Sequence, residues 1–397
     1  MRVMERRVAV VGVGCAGFAP QTADLSYKEL MFEAATRAYE DAGVDPRRDV
    51  DSFITCAEDY WEGFSIFDEF VPDQLGAVLK PTCTVSGDGL HGLVNAVMQI
   101  QAGLFDVVVV EAHSKASDLL TYEPLLRFAM DPIFTRPLFK EPFNWHPYAL
   151  AGLEMARYLY DTGNAEEHCA MVVAKNRTNA LTNPLASYGA AITPEDALAS
   201  RPLFEPLKEL DVAGLADGCV VMVLAAEDVA RKLTDTPVWV LGMGWATESI
   251  SPEIRDWCRA VYAELAAQMA YDMAGIRSPL KELDLVEVDD RFSYKELQHV
   301  EALGICAYGE AGRLLEEGVF DRDGELPVNP SGGSLGVGNL LEASGLYRAA
   351  EVVWQLRGEA GRRQVPDARV GLAFSWRGLP TASGAVVIFG VEKEVGA

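Results

Sequence analysis

The chain is poor in the residues that organise metal or disulfide proteins. Its seven cysteines (Cys15, Cys56, Cys83, Cys169, Cys219, Cys258 and Cys306) form no CxxC pair and are odd in number. That excludes a disulfide framework and a zinc site of ordinary spacing, and fits reduced, mostly buried thiols. The five histidines show no HExxH or comparable ligand spacing, so no metal site is expected. Positive charge is also scarce: 34 Lys and Arg stand against 59 Asp and Glu, a net charge of −25. That balance argues against nucleic acid and anionic membrane as partners. An anionic ligand must be held by local donors or by a partner protein. No apolar run reaches the ~18 residues that span a bilayer. The basic start, Met1 to Arg7, leads into a strand rather than a signal-peptide core, so a cytoplasmic protein is expected.

What is present is a globular composition, 49% hydrophobic and 23% charged, in 397 residues. That length exceeds one ordinary core and predicts two or three domains. The chain also repeats itself. Val8-Ala-Val-Val-Gly-Val-Gly-Cys-Ala16 matches Val238-Trp-Val-Leu-Gly-Met-Gly-Trp-Ala246 without gaps, at an offset of 230 residues. Each copy reads as a buried strand ending in a Gly-x-Gly turn. A helix follows in each. The first opens on the capping box Ser26-Tyr-Lys-Glu29 and ends at Gly43. Its Ala34, Ala35, Ala38, Tyr39, Ala42 and Gly43 recur in the second copy, 232 residues on, within Ala266 to Gly275. The alanine face predicts a helix pressed closely on a sheet or another helix. A strand follows in each copy (50–55 and 283–288), then a Gly-rich turn, a helix and a further strand. Such a duplicated unit implies two layered halves related by pseudo-twofold symmetry. The halves are read as residues 1–233 and 234–397. An insertion at about 112–205, rich in Pro and aromatics, with one helix from about Tyr148 to Asp161, reads as a lid or loop domain.

These segments, with Phe204-Glu-Pro-Leu207, Leu215-Ala-Asp-Gly-Cys219, Pro327-Val-Asn-Pro-Ser-Gly-Gly333 and Gly338-Asn-Leu-Leu-Glu-Ala-Ser-Gly345, resemble the thiolase superfamily in order over nearly the whole chain. Val353 to Gly361 is most similar to its lipid-transfer-protein branch. The resemblance implies an α/β thiolase fold, with duplicated β-α-β-α-β halves in an α-β-α-β-α layering and a loop-domain insertion. It also implies an acyl-CoA substrate, no cofactor beyond the coenzyme A carried by that substrate, and a homodimer. A further expectation is a small zinc-ribbon/OB-fold partner that supplies the basic surface this chain lacks.

A thiolase needs a thiol at a helix N-terminus, a histidine to activate it, a second cysteine and an enolate pocket. Here the nucleophile register falls on Ser86, with Cys83 three residues early. The His-Asp-x-Phe motif reads Asp289-Asp290-Arg291-Phe292. The Gly-His-Pro motif reads Gly338-Asn339-Leu340, and the C-terminal cysteine motif is replaced near Ser375-Trp-Arg-Gly378. Three functions compete: a thiolase using Cys83, a non-catalytic scaffold subunit, and a retro-aldolase. Retro-aldol cleavage of a 3-hydroxyacyl-CoA leaves no acyl group for a thiol to accept, so it suits a thiolase fold without the cysteines. The resemblance extends to steroid side-chain aldolases, which implies a 17-hydroxy steroid acyl-CoA cleaved to a 17-ketosteroid and propionyl-CoA. Tyr294 is the expected acid/base, because a phenol matches an alcohol and an enolate. Asp289 and Asp290 are expected to orient it, Asn339 to donate to the thioester oxygen, and Tyr347 to stand as a second acid/base. Ser86, Gly332 and Gly333 are expected to bind substrate. Each of these has a plain alternative in packing or turn formation.

Overall fold

The structure is a computed structural model and describes residues 6–58, 66–118, 146–251, 253–379 and 381–392. The predicted proline- and aromatic-rich stretch at 123–145 lies outside the described residues.

The first half contributes β1 (Val8–Ala19), α1 (Tyr27–Ala42), β2 (Ser52–Cys56), β3 (Thr82–Val85), α2 (Gly89–Gln101), β4 (Val107–Ser114) and β5 (Asp217–Ala226). Between β4 and β5 lie α3 (Pro147–Thr162) and α4 (Glu166–Ala180). The second half contributes β6 (Val238–Thr247), α5 (Val261–Ala274), β7 (Leu285–Glu287), α6 (Ser293–Ala302), α7 (Gly333–Val337), α8 (Ala343–Arg357), β8 (Val370–Trp376) and β9 (Ser383–Gly390).

These nine strands form one mixed sheet, in the order β3-β2-β4-β5-β1-β6-β9-β8-β7. The order is mirrored about the β1–β6 seam, which is only two residue pairs long. On one side β2 pairs in parallel with β3 and β4, and β4 then pairs antiparallel with β5. On the other, β7 pairs in parallel with β8, which pairs antiparallel with β9. The counterpart of β3 is reduced to a single parallel bridge, Val286 to Val328. The duplication therefore has one strand order in both halves, with a fifth strand that is complete only in the first.

Three apolar cores separate the layers. α1 packs on the outer face of the first half of the sheet, burying Leu30, Met31, Ala34, Ala38 and Ala42. α2 and α8 lie together between the two halves of the sheet, with Leu90, Leu93 and Val97 sharing one core with Leu346, Ala349 and Val353. α5, α6 and the insertion helices cover the outer face of the second half. This is the α-β-α-β-α layering.

Local chemistry sets the ends. Ser26 accepts from the Glu29 amide while Glu29 accepts from the Ser26 amide at 2.8 Å, a complete capping box. Gly43 and Gly275 close their helices in the left-handed region, at φ 66° and 79°. The repeated Gly-x-Gly and the repeated alanine face are one device. A Cβ on Gly14 would stand 2.0 Å from the Ala34 carbonyl oxygen, and one on Gly244 would stand 2.1 Å from that of Ala266. Glycine on the strand and alanine on the helix let the two backbones touch.

The insertion differs from expectation in one respect. It contains a second full helix, α4, whose buried face carries Asn176 and Asn179 beside Val172 and Val173. Its polar positions face tertiary partners, so no amphipathic period marks it in the sequence. Among the described residues no helix is long and apolar enough to cross a membrane.

Gly244→Ala is predicted to destabilise the chain by about 2 kcal/mol or more, because a methyl has no room against a backbone carbonyl. The urea midpoint should fall with m unchanged. An unchanged midpoint would refute the close-packing account.

Candidate active site

Strands β3 and β8 both end at the same place, where α2 and α8 begin. Asp88 joins them. Its carboxylate caps α2 at the Leu90 amide (2.9 Å) and accepts from the Gly345 amide of α8 (2.8 Å). The Gly89 amide donates to the Glu342 carbonyl at 2.7 Å. Gly345 is obligatory there, since a Cβ would stand 1.8 Å from Asp88 Oδ1. Burial raises the Asp88 carboxyl above its ordinary range, and Arg291 opposes that rise.

Four segments converge on this junction: 86–89, 289–292, 338–342 and 375–378. Arg291 donates to the carbonyls of Arg377 (3.1 Å) and Leu341 (3.5 Å), and its guanidinium lies 3.9 Å from Asp88. Asp289 is paired with Arg348 at 3.0 Å and with Arg291 at 3.5 Å. Burial works against its charge, but the two guanidiniums hold it below the ordinary carboxylate range. Arg348 reaches Ser375 Oγ and Ser334 Oγ. At the outer edge Arg377 is ion-paired with Glu58, and Ser86 Oγ donates to the same carboxylate at 3.1 Å. The cleft so formed is lined by Glu58, Gly87, Asp88, Arg291, Leu341, Glu342, Arg377 and Leu379. It holds about 310 Å3 counted with open solvent, and the centre of a water-sized sphere can occupy about 20 Å3 of it. That is room for about one water.

Among the described residues no cysteine or histidine lines this cleft. Cys83 is half-buried with its thiol raised by burial, 3.9 Å from Gln99 Nε2. Cys56, at the end of β2, is fully buried and its thiol is pushed well up by burial and by Glu111. Neither is poised as a thiolate. His91 on α2 is lowered to about 4 and His299 to about 3, both by burial first, so both are neutral and internal.

Of the residues singled out from the sequence, Ser86 and Asp289 belong to this junction. Asn339 lies on the 338–342 segment, with Oδ1 accepting from the Leu341 amide at 3.1 Å and its own amide donating to the Gly214 carbonyl. None of the residues singled out from the sequence is itself among those lining the cleft. Asp290 is buried at the start of α7, accepting from the amides of Ser334 (2.5 Å) and Leu335 (3.1 Å) and from Asn176 (2.8 Å). Burial and Glu296 push its carboxyl up to about 7. It anchors that short helix. Gly332 and Gly333 sit beneath Ala180 and Asp290, where a Cβ would clash at 2.6 and 2.2 Å; both have φ above +50°. Tyr347 is buried, with its hydroxyl accepting from Asn183 at 2.6 Å and its ring 5.2 Å from Phe18. Tyr294 is fully buried and its hydroxyl donates to Glu154 of α3 at 2.6 Å. Burial, then Glu154, raises that phenol well above 10. Glu154 also holds Lys295 (2.9 Å) and Arg255 (2.5 Å), and Lys295 lies 4.4 Å over the Trp376 ring. Tyr294 thus ties α6 to α3 of the insertion.

Arg291, Arg377, Arg348 and Glu58 were not singled out from the sequence. Arg291 and Arg377 stand inside the altered motifs, and arginine at positions expected to be buried was the available signal. Glu58 carries no signal.

A family model described as "Thiolase C-terminal domain-like" matches residues 244–391. An acetyl-CoA acetyltransferase of Methanothermobacter thermautotrophicus is 34% identical over 97% of this chain and 99% of its own length. The chain belongs to the thiolase superfamily. Within it, sterol carrier protein 2 of Oryctolagus cuniculus is 31% identical over 92% of this chain and 69% of its own, which marks the lipid-transfer type. The solved structure of an "Ltp2-ChsH2(DUF35) aldolase" superposes with a TM-score of 0.83 at 25% identity, covering 98% of this chain and 99% of that one. In this thiolase-superfamily protein, then, the four altered motif segments meet at one cleft, where the charged side chains are carboxylates and guanidiniums.

Tyr294→Phe is predicted to cost about 1–3 kcal/mol of stability by leaving Glu154 short of a donor. The turnover of the folded variant should stay within about tenfold of wild type. A loss beyond about 100-fold at unchanged melting temperature would return Tyr294 to the chemistry.

Proposed function

We propose that this thiolase-fold enzyme is a carbon–carbon lyase that cleaves a 3-hydroxyacyl-CoA by a retro-aldol reaction without a covalent acyl-enzyme. The observation that carries this reading is the cleft itself. Ser86 occupies the nucleophile register and is turned onto Glu58, and the surrounding charge is that of Arg291, Arg377 and their carboxylates. Such a site can move protons and stabilise an enolate, whereas it offers no thiolate to accept an acyl group. The resemblance to the solved aldolase supports the same class.

The finer reading is a 17-hydroxy steroid side-chain thioester, split to a 17-ketosteroid and propionyl-CoA, by a homodimer with coenzyme A entering only as part of the substrate. Because the name of that solved aldolase includes a DUF35 component, and this chain carries −25 net charge, a small partner of that kind is proposed to supply basic donors for the CoA phosphates.

Acyl transfer is the second reading, favoured by the name of the Methanothermobacter relative. A panel of 3-hydroxyacyl- and 3-ketoacyl-CoAs, with and without free CoA, separates the two. A lyase releases a carbonyl product and a shorter acyl-CoA from the 3-hydroxy substrates with no added CoA. Cleavage of only 3-ketoacyl-CoAs, and only with CoA, would establish a thiolase. Cys83→Ala is predicted to leave turnover within about threefold; a loss above about 100-fold, near 2.7 kcal/mol of barrier, would sink the lyase reading.

A further inference from the structure

We propose that Glu58 is the proton-transferring carboxylate of the cleft, taking the substrate's 3-hydroxyl proton and returning a proton to its α-carbon. The assignment rests on the retro-aldol reading above and names a residue for it.

Four observations converge on Glu58. The first is access. Its side chain is 25% exposed, while those of Asp88 and Asp289 are 1% and 0% exposed, and Glu342 is buried. Asp88 is committed to the amides of Leu90 and Gly345, and Asp289 is locked between Arg348 and Arg291. Glu58 is therefore the carboxylate that reaches the mouth, among the described residues of the cleft. The second is register: Ser86 stands in the nucleophile position and donates to Glu58 Oε2, so the carboxylate ends where that position points.

The third is orientation. Arg377 pairs with Glu58 through Nη2, and its guanidinium lies on Gly87, where a Cβ would stand 2.5 Å from Nε. Its backbone carbonyl is held in turn by Arg291. Arg377 thus holds Oε1 of the carboxylate and Ser86 holds Oε2, which fixes the plane of the Glu58 carboxylate at the cleft. The fourth is size. The cleft beside these groups leaves about 20 Å3 to the centre of a water-sized sphere, room for about one oxygen-sized group.

The chemistry balances within the site. The Glu58 carboxylate accepts the O–H proton, and that bonding pair becomes the new C=O. The Cα–Cβ bond breaks, and its electron pair passes to the α-carbon and thioester as an enolate. The ketone or aldehyde leaves. The Glu58 carboxylic acid then protonates the α-carbon and returns to the carboxylate. No oxidant, reductant or free CoA is consumed. Arg377 and Arg291 supply positive charge as the enolate develops.

The test is exchange of the α-protons of propionyl-CoA in D2O by the full-length chain, read by mass spectrometry, beside turnover of 3-hydroxyacyl-CoAs. Wild type is expected to exchange, and Glu58→Gln to lose exchange and kcat together by about 10² to 10⁴, at nearly unchanged melting temperature. Should Glu58→Gln fail to fold, Glu58→Asp, one methylene shorter, is expected to lose at least about tenfold in both. Exchange retained within about threefold in the folded variant, or absent from wild type, overturns the assignment. Failure of the lyase reading is seen separately, as a wild type that exchanges α-protons in a Glu58-dependent way yet cleaves no 3-hydroxyacyl-CoA.

Discussion

The buried carboxylate of Asp88 holds the amide ends of two helices from opposite halves of the chain, through Leu90 of α2 and Gly345 of α8. Helix N-termini carry partial positive charge and unsatisfied donors, so one acidic side chain satisfies both. Everything at the cleft is referred to that bond. It fixes where Ser86 and Gly87 stand, it makes Gly345 unavoidable, and it attracts Arg291, which then ties Arg377 and Leu341 into place.

The consequence is an ionic site in a fold made for a thiol. Arg291 and Arg348 are desolvated, and burying such charges costs several kcal/mol each unless partners and geometry offset it. Asp88, Asp289, Ser334 and Ser375 provide that offset. Removing one partner of such a network costs about 3–5 kcal/mol. Stability alone gives no reason to keep it, since well-packed apolar residues serve as well or better. A role in stabilising an enolate does give a reason, because preorganised charge in a water-poor cleft acts most strongly on charge that appears during reaction.

The sequence disclosed the elements whose physics is local. The capping box at Ser26, the closing glycines Gly43 and Gly275, and the Gly-x-Gly pairs all lie where their residue types demand. It disclosed the convergence of the four motif segments through the duplication and the family pattern. It did not disclose direction. Tyr294 stands three residues after Arg291, yet the start of α6 turns its ring toward Glu154, 140 residues earlier in the chain. Glu58 and Arg377 are 319 residues apart, and no local pattern announces an ion pair between them. The helix α4 escaped notice for a related reason, as its asparagines are satisfied by groups on α6 and α7 and their flanks rather than by water.

The central claim is that bond cleavage proceeds without an acyl group ever residing on the protein. Intact-protein mass spectrometry of the chain, acid-quenched during steady-state turnover of a 3-hydroxyacyl-CoA, tests it most directly. The account predicts a single species at the mass of the unmodified chain throughout turnover. An adduct of the product acyl group that grows in and decays, mapped to Ser86 or Cys83, would contradict it.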